Sequence, residues 1–374
     1  MNERRTILLS AHRSGAALWQ RLLEQMPPER RDVYFTPEYA LIWERAGHGA
    51  AIAFVYGEPP DFVLHVFLRR ALRDLPFVPA DSPAAEAFDI ITPYGYGGPI
   101  ASSERAERPD FVAGFFDAFR KCCAGARIVS EFCRLHPVLR NDELVRQCVE
   151  VTHRWDTVVV PLDADEEALL AQVSRHHRRN IRKANRAGVA FFTPQLESAT
   201  SEFHRVYIET MRRRNARRDY HFSRAFFADT LRLLGRRAWL LEARIDGRLA
   251  AGALAMQWGP YAHYHFGCTA AEALSSGVMH GLLHELARRA GRTGCHLLHL
   301  GGGTRPDDGL FRFKAGFSPE RRPFCTYQAV LVSDLYDQLC ELRDQSVGTQ
   351  PEDADDSFFP AYRRPVPNTR SFGD

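Results

Sequence analysis

Residues 237–267 read RAWLLEARIDGRLAAGALAMQWGPYAHYHFG. Three apolar runs, 237–245, 249–258 and 260–267, are cut by AspGly at 246–247 and GlyPro at 259–260. Asp-Gly supplies the positive φ of a tight hairpin and Gly-Pro punctuates a strand, so the stretch predicts three successive antiparallel strands. Helical periodicity at 197–216 and 223–234 precedes them, and a helix at 276–291 follows. HisLeuLeuHisLeu (296–300) then reads as a strand. A glycine-rich turn leads to a short helix near 308–315 and a last strand at 324–332. At the front, TrpAspThrValValValProLeu (155–162) is strand-like, and Asp163 and Asp165 open a helix to about 187. The order is α+β, with a mixed, mostly antiparallel sheet flanked by helices.

The first half repeats this order more loosely. Strands are expected at 6–10, 51–56, 62–68, 87–91 and 127–132, and helices at 14–25, 37–46 and 107–123. Two tandem copies, 1–153 and 154–333, account for 374 residues at about 100–200 per domain. The element order is that of the GNAT acyltransferase fold, so two GNAT-like domains are expected. Residues 334–345 look helical, and 346–374, with an acidic run and little periodicity, read as poorly ordered.

Composition excludes fibrous and wholly disordered chains: 45% hydrophobic, 25% charged. The net charge of +3 conceals an asymmetry, because residues 1–150 carry 18 Lys+Arg against 20 Asp+Glu and residues 151–350 carry 28 against 21. The second half is thus built to face an anion. No apolar window approaches membrane-spanning length, so no stable membrane insertion is expected. Eight cysteines without zinc spacing, and no secretory leader at the start, indicate reduced thiols, a cytoplasmic setting and no metal.

Four stretches carry chemistry. Residues 174–188 (SRHHRRNIRKANRAG) hold six Lys/Arg and no acid. On a helix, Arg175, Arg179, Arg182 and Arg186 form one stripe, with Lys183 beside it. Like charges at these spacings oppose the helix unless an anion compensates; a solvated face is the plainer reading. Residues 207–220 add five Arg between 212 and 218, and guanidinium forks match phosphate oxygens. Charge alone does not separate RNA from a nucleotide-sugar pyrophosphate. PheAspIleIleThrProTyrGlyTyrGlyGlyProIle (88–100) interleaves Tyr94 and Tyr96 with glycines, offering stacking faces where backbone approaches closely. Finally, 299–317 runs from a strand through three glycines into a short helix whose Leu310, Phe313 and Phe317 predict a buried stripe fixing Lys314 beside it. Lys314, one of only three lysines, is a candidate carbonyl or carboxylate binder. The pyrophosphate-binding [Q/R]xxGx[G/A] pattern of acetyl-CoA-dependent GNAT domains does not fit Gly277 and Gly281 in 267–281.

Taken in order, TyrGlyTyrGlyGlyPro, ArgArgAsnIleArgLysAlaAsnArgAlaGlyVal (178–189), TyrIleGluThrMet with its Arg cluster, and GlyGly…Leu…PheLys…Phe (302–317) resemble the Fem-type (FemABX) aminoacyltransferases of the GNAT superfamily. The resemblance implies two GNAT-like domains, a C-terminal helix packed back on the first, and transfer of an amino acid from aminoacyl-tRNA to an amine. It places Phe313 and Lys314 at the aminoacyl end of the tRNA, and Thr210, Arg213, Tyr220 and the strand HisTyrHisPhe with Tyr264 and His265 along the acceptor cleft. Two departures matter: Ser102 stands where some members have Asp, and the long helical hairpin of some members is absent. The acceptor is therefore a peptidoglycan precursor or a natural-product or other small-molecule or peptide amine. Aminoacyl-tRNA serves as co-substrate with no cofactor and no DNA partner. An aminoacyl ester is already activated, so proximity does much of the work, with Lys314 stabilising the developing charge and the tRNA ribose or His265 as base. The alternatives are an acyl-CoA-dependent N-acyltransferase and a non-catalytic RNA-binding protein on the same fold.

Overall fold

The computed structural model describes residues 4–162, 165–194, 196–347 and 358–365. In chain order the first half contains β1 (Thr6–Ser10), α1 (Arg13–Gln25), α2 (Pro37–Arg45), β2 (Ala50–Glu58), β3 (Asp61–Ala71), β4 (Phe88–Ile91), β5 (Gly98–Ala101), α3 (Pro109–Gly125), β6 (Ile128–Arg134), α4 (Asn141–Val145) and β7 (Thr152–Pro161). The second contains α5 (Glu166–Ala171), α6 (Arg175–Arg186), β8 (Ala190–Phe192), α7 (Leu196–Arg213), α8 (Arg224–Leu234), β9 (Ala238–Ile245), β10 (Arg248–Trp258), β11 (Tyr261–Thr269), α9 (Val278–Arg292), β12 (Leu297–Gly301), α10 (Gly309–Ala315), β13 (Arg321–Val330) and α11 (Ser333–Val347).

The thirteen strands among the described residues join one sheet, ordered β1-β2-β3-β4-β6-β13-β7-β12-β11-β10-β9-β8, with β5 on β3. The hairpins expected from AspGly and GlyPro form: β10 pairs antiparallel with both β9 and β11. At the centre the halves exchange strands. β7, expected to open the second copy, instead matches β13 in element order (β6-α4-β7 beside β12-α10-β13) and so closes the first half. It pairs with β12 of the second, whereas β13, last of the second, pairs with β6 of the first. β7 and β13 then pair with each other. Each half therefore completes its sheet with the other's final strand.

The helix expected from about 163 to 187 is two. Ser174 accepts the His177 N–H at 3.3 Å and starts α6 afresh. Short β5, β8 and α4 escaped the sequence reading, being too brief for a period to register. The largest apolar core spans both halves, with Trp43 of α2 against Phe222 and Phe226 at 5.6 and 5.2 Å. A smaller core of Leu72, Val129 and Leu339 seats α11 on the first half. Of the tail read as poorly ordered, 348–357 and 366–374 lie outside the described residues, but 358–365 are docked. Tyr362 is buried, bonded to Ser130 Oγ at 2.6 Å and donating to Asp89 Oδ2 at 3.0 Å. An aromatic anchor with two polar partners outweighs the acidic composition around it. No described helix is long and apolar enough to cross a membrane.

Candidate active site

β11 and β12 run parallel but pair only from Tyr261↔Leu297 to His263↔His299, then part. Two local features force the parting. On β11, Leu254 of β10 faces Phe266 while the next residue, Ala255, faces Tyr264, leaving His265 as a bulge that bends the strand. On β12, Gly301 has φ +75°, and a Cβ at Gly302 would stand 2.7 Å from the Trp155 ring. The three glycines seen in the sequence thus turn the chain away from its neighbour.

Lys314 lies against this opening. Asp308 caps α10, accepting from Phe311 N and Thr304 N at 2.8 and 2.7 Å. The expected apolar stripe forms in part: Phe313 packs half-buried against the core and Leu310 is 37% exposed, while Lys314 is the one buried residue of α10. Phe317, just beyond, is buried as expected. Lys314 Nζ donates to Gly302 O at 2.7 Å and stands 5.7 Å from the Tyr264 ring centre, with no carboxylate partner among the described residues. Burial lowers its pKa to about 8.

The first half reaches the same place. A Cβ built on Gly301 would meet Lys314 Nζ at 3.3 Å and the Tyr96 hydroxyl at 3.4 Å, so residues from both halves converge over one glycine. The Tyr96 ring lies 4.9 Å from His299 and 5.4 Å from Tyr34. Tyr94 stacks on Phe266 at 5.8 Å and meets Tyr220 edge-on at 6.1 Å. His265 keeps different company from Lys314: its Nδ1 is 3.3 Å from Tyr34 OH and its Nε2 3.5 Å from Tyr39 OH. Burial, reinforced by His263, pushes His265 down to about 3. An imidazole so reluctant to take a proton is poorly matched to general-base work near neutrality.

Thr210 and Arg213 anchor structure here. Thr210 Oγ1 and Arg213 Nη2 both donate to Thr269 O, at 3.0 and 2.7 Å, tying α7 to the end of β11. The basic stripe is as the periodicity required: Arg175, Arg179, Arg182, Lys183 and Arg186 are exposed, and His177, Ile181 and Ala184 pack inward. Arg175, His176, Arg179 and Arg182 line a concavity of about 600 Å³. His177 Nε2 donates to Phe313 O at 2.7 Å and Ser174 N to Gly316 O at 2.8 Å, so the stripe is bolted to the helix carrying Lys314.

Beneath the fork lies a polar group the sequence did not reveal. Asp32 accepts from His263 Nε2 at 2.7 Å and from Tyr34 N at 3.2 Å, with His136 Nε2 at 3.6 Å; all three side chains are buried. The imidazoles hold the Asp32 carboxyl well below the usual range against its desolvation. A polar residue inside an apolar strand, as at His263 and His299, was the only signal available.

Asp32, His136 and His263 are close enough for a metal, but Leu139 N–H donates to His136 Nδ1, leaving the proton on Nε2, which then has no lone pair to give. His176, His177 and His280 also cluster, beside the arginine stripe, whose charge favours an anion over a cation. The glycines at the start of α9 serve helix packing. There α6 fills the space: a Cβ on Gly277 would fall 2.5 Å from Asn180 O, and one on Gly281 3.1 Å from Ala184 Cβ.

Among curated proteins, none matches the sequence significantly. Residues 171–315 match the family model of the acetyltransferase (GNAT) domain. Among solved structures the chain is similar to FemX (TM-score 0.66, 12% identity, 89% of this chain and 99% of that one). It is also similar to a C-terminal domain assigned to a lysylphosphatidylglycerol synthetase from Agrobacterium fabrum (0.51, 15%, 86% and 96%). A tandem GNAT protein from the clavulanic acid biosynthesis pathway gives 0.50 at 13% identity, over 88% and 99%. Element order, strand pairing and these likenesses agree: the chain has the FemX-type tandem GNAT fold, the fold of N-acyltransferases.

Proposed function

We propose that this chain is an N-acyltransferase that moves an aminoacyl group from aminoacyl-tRNA to an amine. The observation that carries the reading is the convergence of Tyr96 and Lys314 over Gly301, at a fork whose Lys-bearing helix is bonded to an exposed arginine stripe. A tRNA acceptor arm lying on Arg175, Arg179, Arg182, Lys183 and Arg186 brings its 3′ end toward Phe313. The amine nitrogen attacks the ester carbonyl, forming C–N; the carbonyl oxygen gains charge beside the Lys314 ammonium, and its collapse breaks the ester C–O bond. The amine proton ends on the departing ribose oxygen. Neutral His265, held by Tyr34 and Tyr39, shapes the acceptor side together with Tyr94, Tyr220 and Tyr264.

Acyl-CoA is the second donor to test, because the fold is shared with CoA-dependent enzymes; helix α6 over Gly277 weighs against it. Incubation with a charged-tRNA pool, or with acyl-CoAs, and a set of amines, read by mass spectrometry for deacylation and new amides, decides. Amide formation from charged tRNA sustains the reading; transfer only from acyl-CoA replaces the donor. Tight RNA binding with no transfer from either leaves an RNA-binding protein.

A further inference from the structure

Arg134, the last residue of β6, stands among the aromatic residues between the halves, and nothing so far accounts for it. Its guanidinium lies 5.0 Å from the Phe132 ring centre, and Nη1 donates to Thr92 O at 3.2 Å. Its backbone N–H is held by Thr92 Oγ1 at 3.1 Å, so the side chain rises from a fixed point. No carboxylate lies within 4.0 Å of it among the described residues, whereas nearby Arg70 has Asp89 at 2.7 Å. Among the described residues its guanidinium has no other acceptor, and the donors left over are open to solvent. Arg31 and Arg69 are also half-buried without a carboxylate, each over an aromatic ring, but Arg134 is bonded to the start of the loop that carries Tyr94 and Tyr96. Its electrostatic neighbours are Tyr94, Tyr220 and Arg70, and burial lowers its pKa. A half-buried cation with open donors and no counter-charge among the described residues is available to an anion.

We infer that Arg134 anchors an anionic group, a carboxylate or a phosphate, carried by the acceptor amine. The planar fork suits either oxyanion, and Tyr94 and Tyr220 are close enough to act on its charge. Because Tyr94 and Tyr96 share one short loop, an acceptor held at Arg134 extends along that loop toward Lys314. The inference rests on the aminoacyl-transfer reading for the identity of the ligand, though not for the anion site itself.

Two measurements keep the two claims apart. Nε–Hε resonances of the intact protein, with the Arg134 signal assigned by its loss in Arg134→Lys, are titrated with inorganic phosphate, with acetate and with chloride at equal ionic strength. A saturable shift of Arg134 with phosphate or acetate and not chloride is expected; a shift no larger than that of exposed Arg5 overturns the anchor. Transfer is then compared for phosphoethanolamine against ethanolamine and for β-alanine against propylamine. Arg134→Gln should lower kcat/KM for whichever anionic member is used by about 10- to 100-fold, leaving its neutral partner unchanged, with partial recovery in Arg134→Lys. Equal losses for both members, in a variant that melts like the parent, also overturn it. If no amine reacts with any charged tRNA, the transfer reading fails and the titration alone decides the anion site.

Discussion

The two halves share an element order and differ at the fork between their parallel strands. In the first, β4 and β6 pair from Phe88↔Ile128 to Ile91↔Phe132, and the seam continues past the strands. Thr92 N donates to Phe132 O at 3.2 Å, Thr92 Oγ1 accepts from Arg134 N, and Gly97 bridges Leu135. In the second, pairing stops at His263↔His299 and the strands separate beside Lys314. One fork is zipped shut and lends its loop, with Tyr94 and Tyr96, to the other, which stays open. Duplicated architecture has thus divided the work: one copy supplies a wall, the other the opening.

The comparison breaks first at Lys314. Lys314→Ala should lower kcat by about 100–1000-fold, as loss of an oxyanion donor does, with tRNA affinity little changed; Lys314→Arg should rescue poorly. Near-normal turnover in the Ala variant removes the open fork from the chemistry. The same ammonium sets a pH limit. It is charged below about 8 and neutral above, so turnover should be level below that point and fall about tenfold per unit above it. A rate that keeps rising through pH 9 contradicts this.

Gly301→Ala places a methyl group at φ +75° against Lys314 Nζ and Tyr96 OH. Steady-state kinetics should show about a tenfold fall in kcat, and denaturation a loss of about 1–3 kcal/mol. The zipped fork should respond in the other manner. Thr92→Val leaves the Arg134 N–H without its acceptor and should cost about 1–3 kcal/mol of stability by urea denaturation, with kcat within twofold for a neutral acceptor. A larger effect on kcat than Gly301→Ala would reverse the roles assigned to the two forks. The smallest effect belongs to the stripe: Arg175→Ala or Arg182→Ala should each flatten the salt dependence of tRNA binding by about one counterion, measured by filter binding. An unchanged slope returns α6 to a solvated face.

Fold legibility followed local punctuation. AspGly and GlyPro fixed the β9–β10–β11 meander because turn chemistry is contained within a few residues. GlyProIleAla (98–101) was hidden as β5 for the same reason, since it looks like a turn and pairs with β3 from a distance. Lys314 was visible from the glycine run and its helix, with Phe313 and Phe317 packing inward, but not as the residue that α10 itself buries. Thr210 and Arg213, carried over by resemblance, bind the Thr269 carbonyl. Asp32, His136, His263 and Arg134 come together only through tertiary folding, and no spacing or composition marks such a meeting in advance.

The strand exchange at the centre of the sheet also governs how the chain can be made. β6 emerges from the ribosome early, but its neighbour in the finished sheet, β13, is synthesised almost last. Until then the first half carries an open edge whose N–H and C=O groups are a template for any passing strand. Long-range pairing of this kind also slows folding. The nascent first half is therefore the chain's most aggregation-prone stage, and a stop codon anywhere before Arg321 forfeits both halves rather than one.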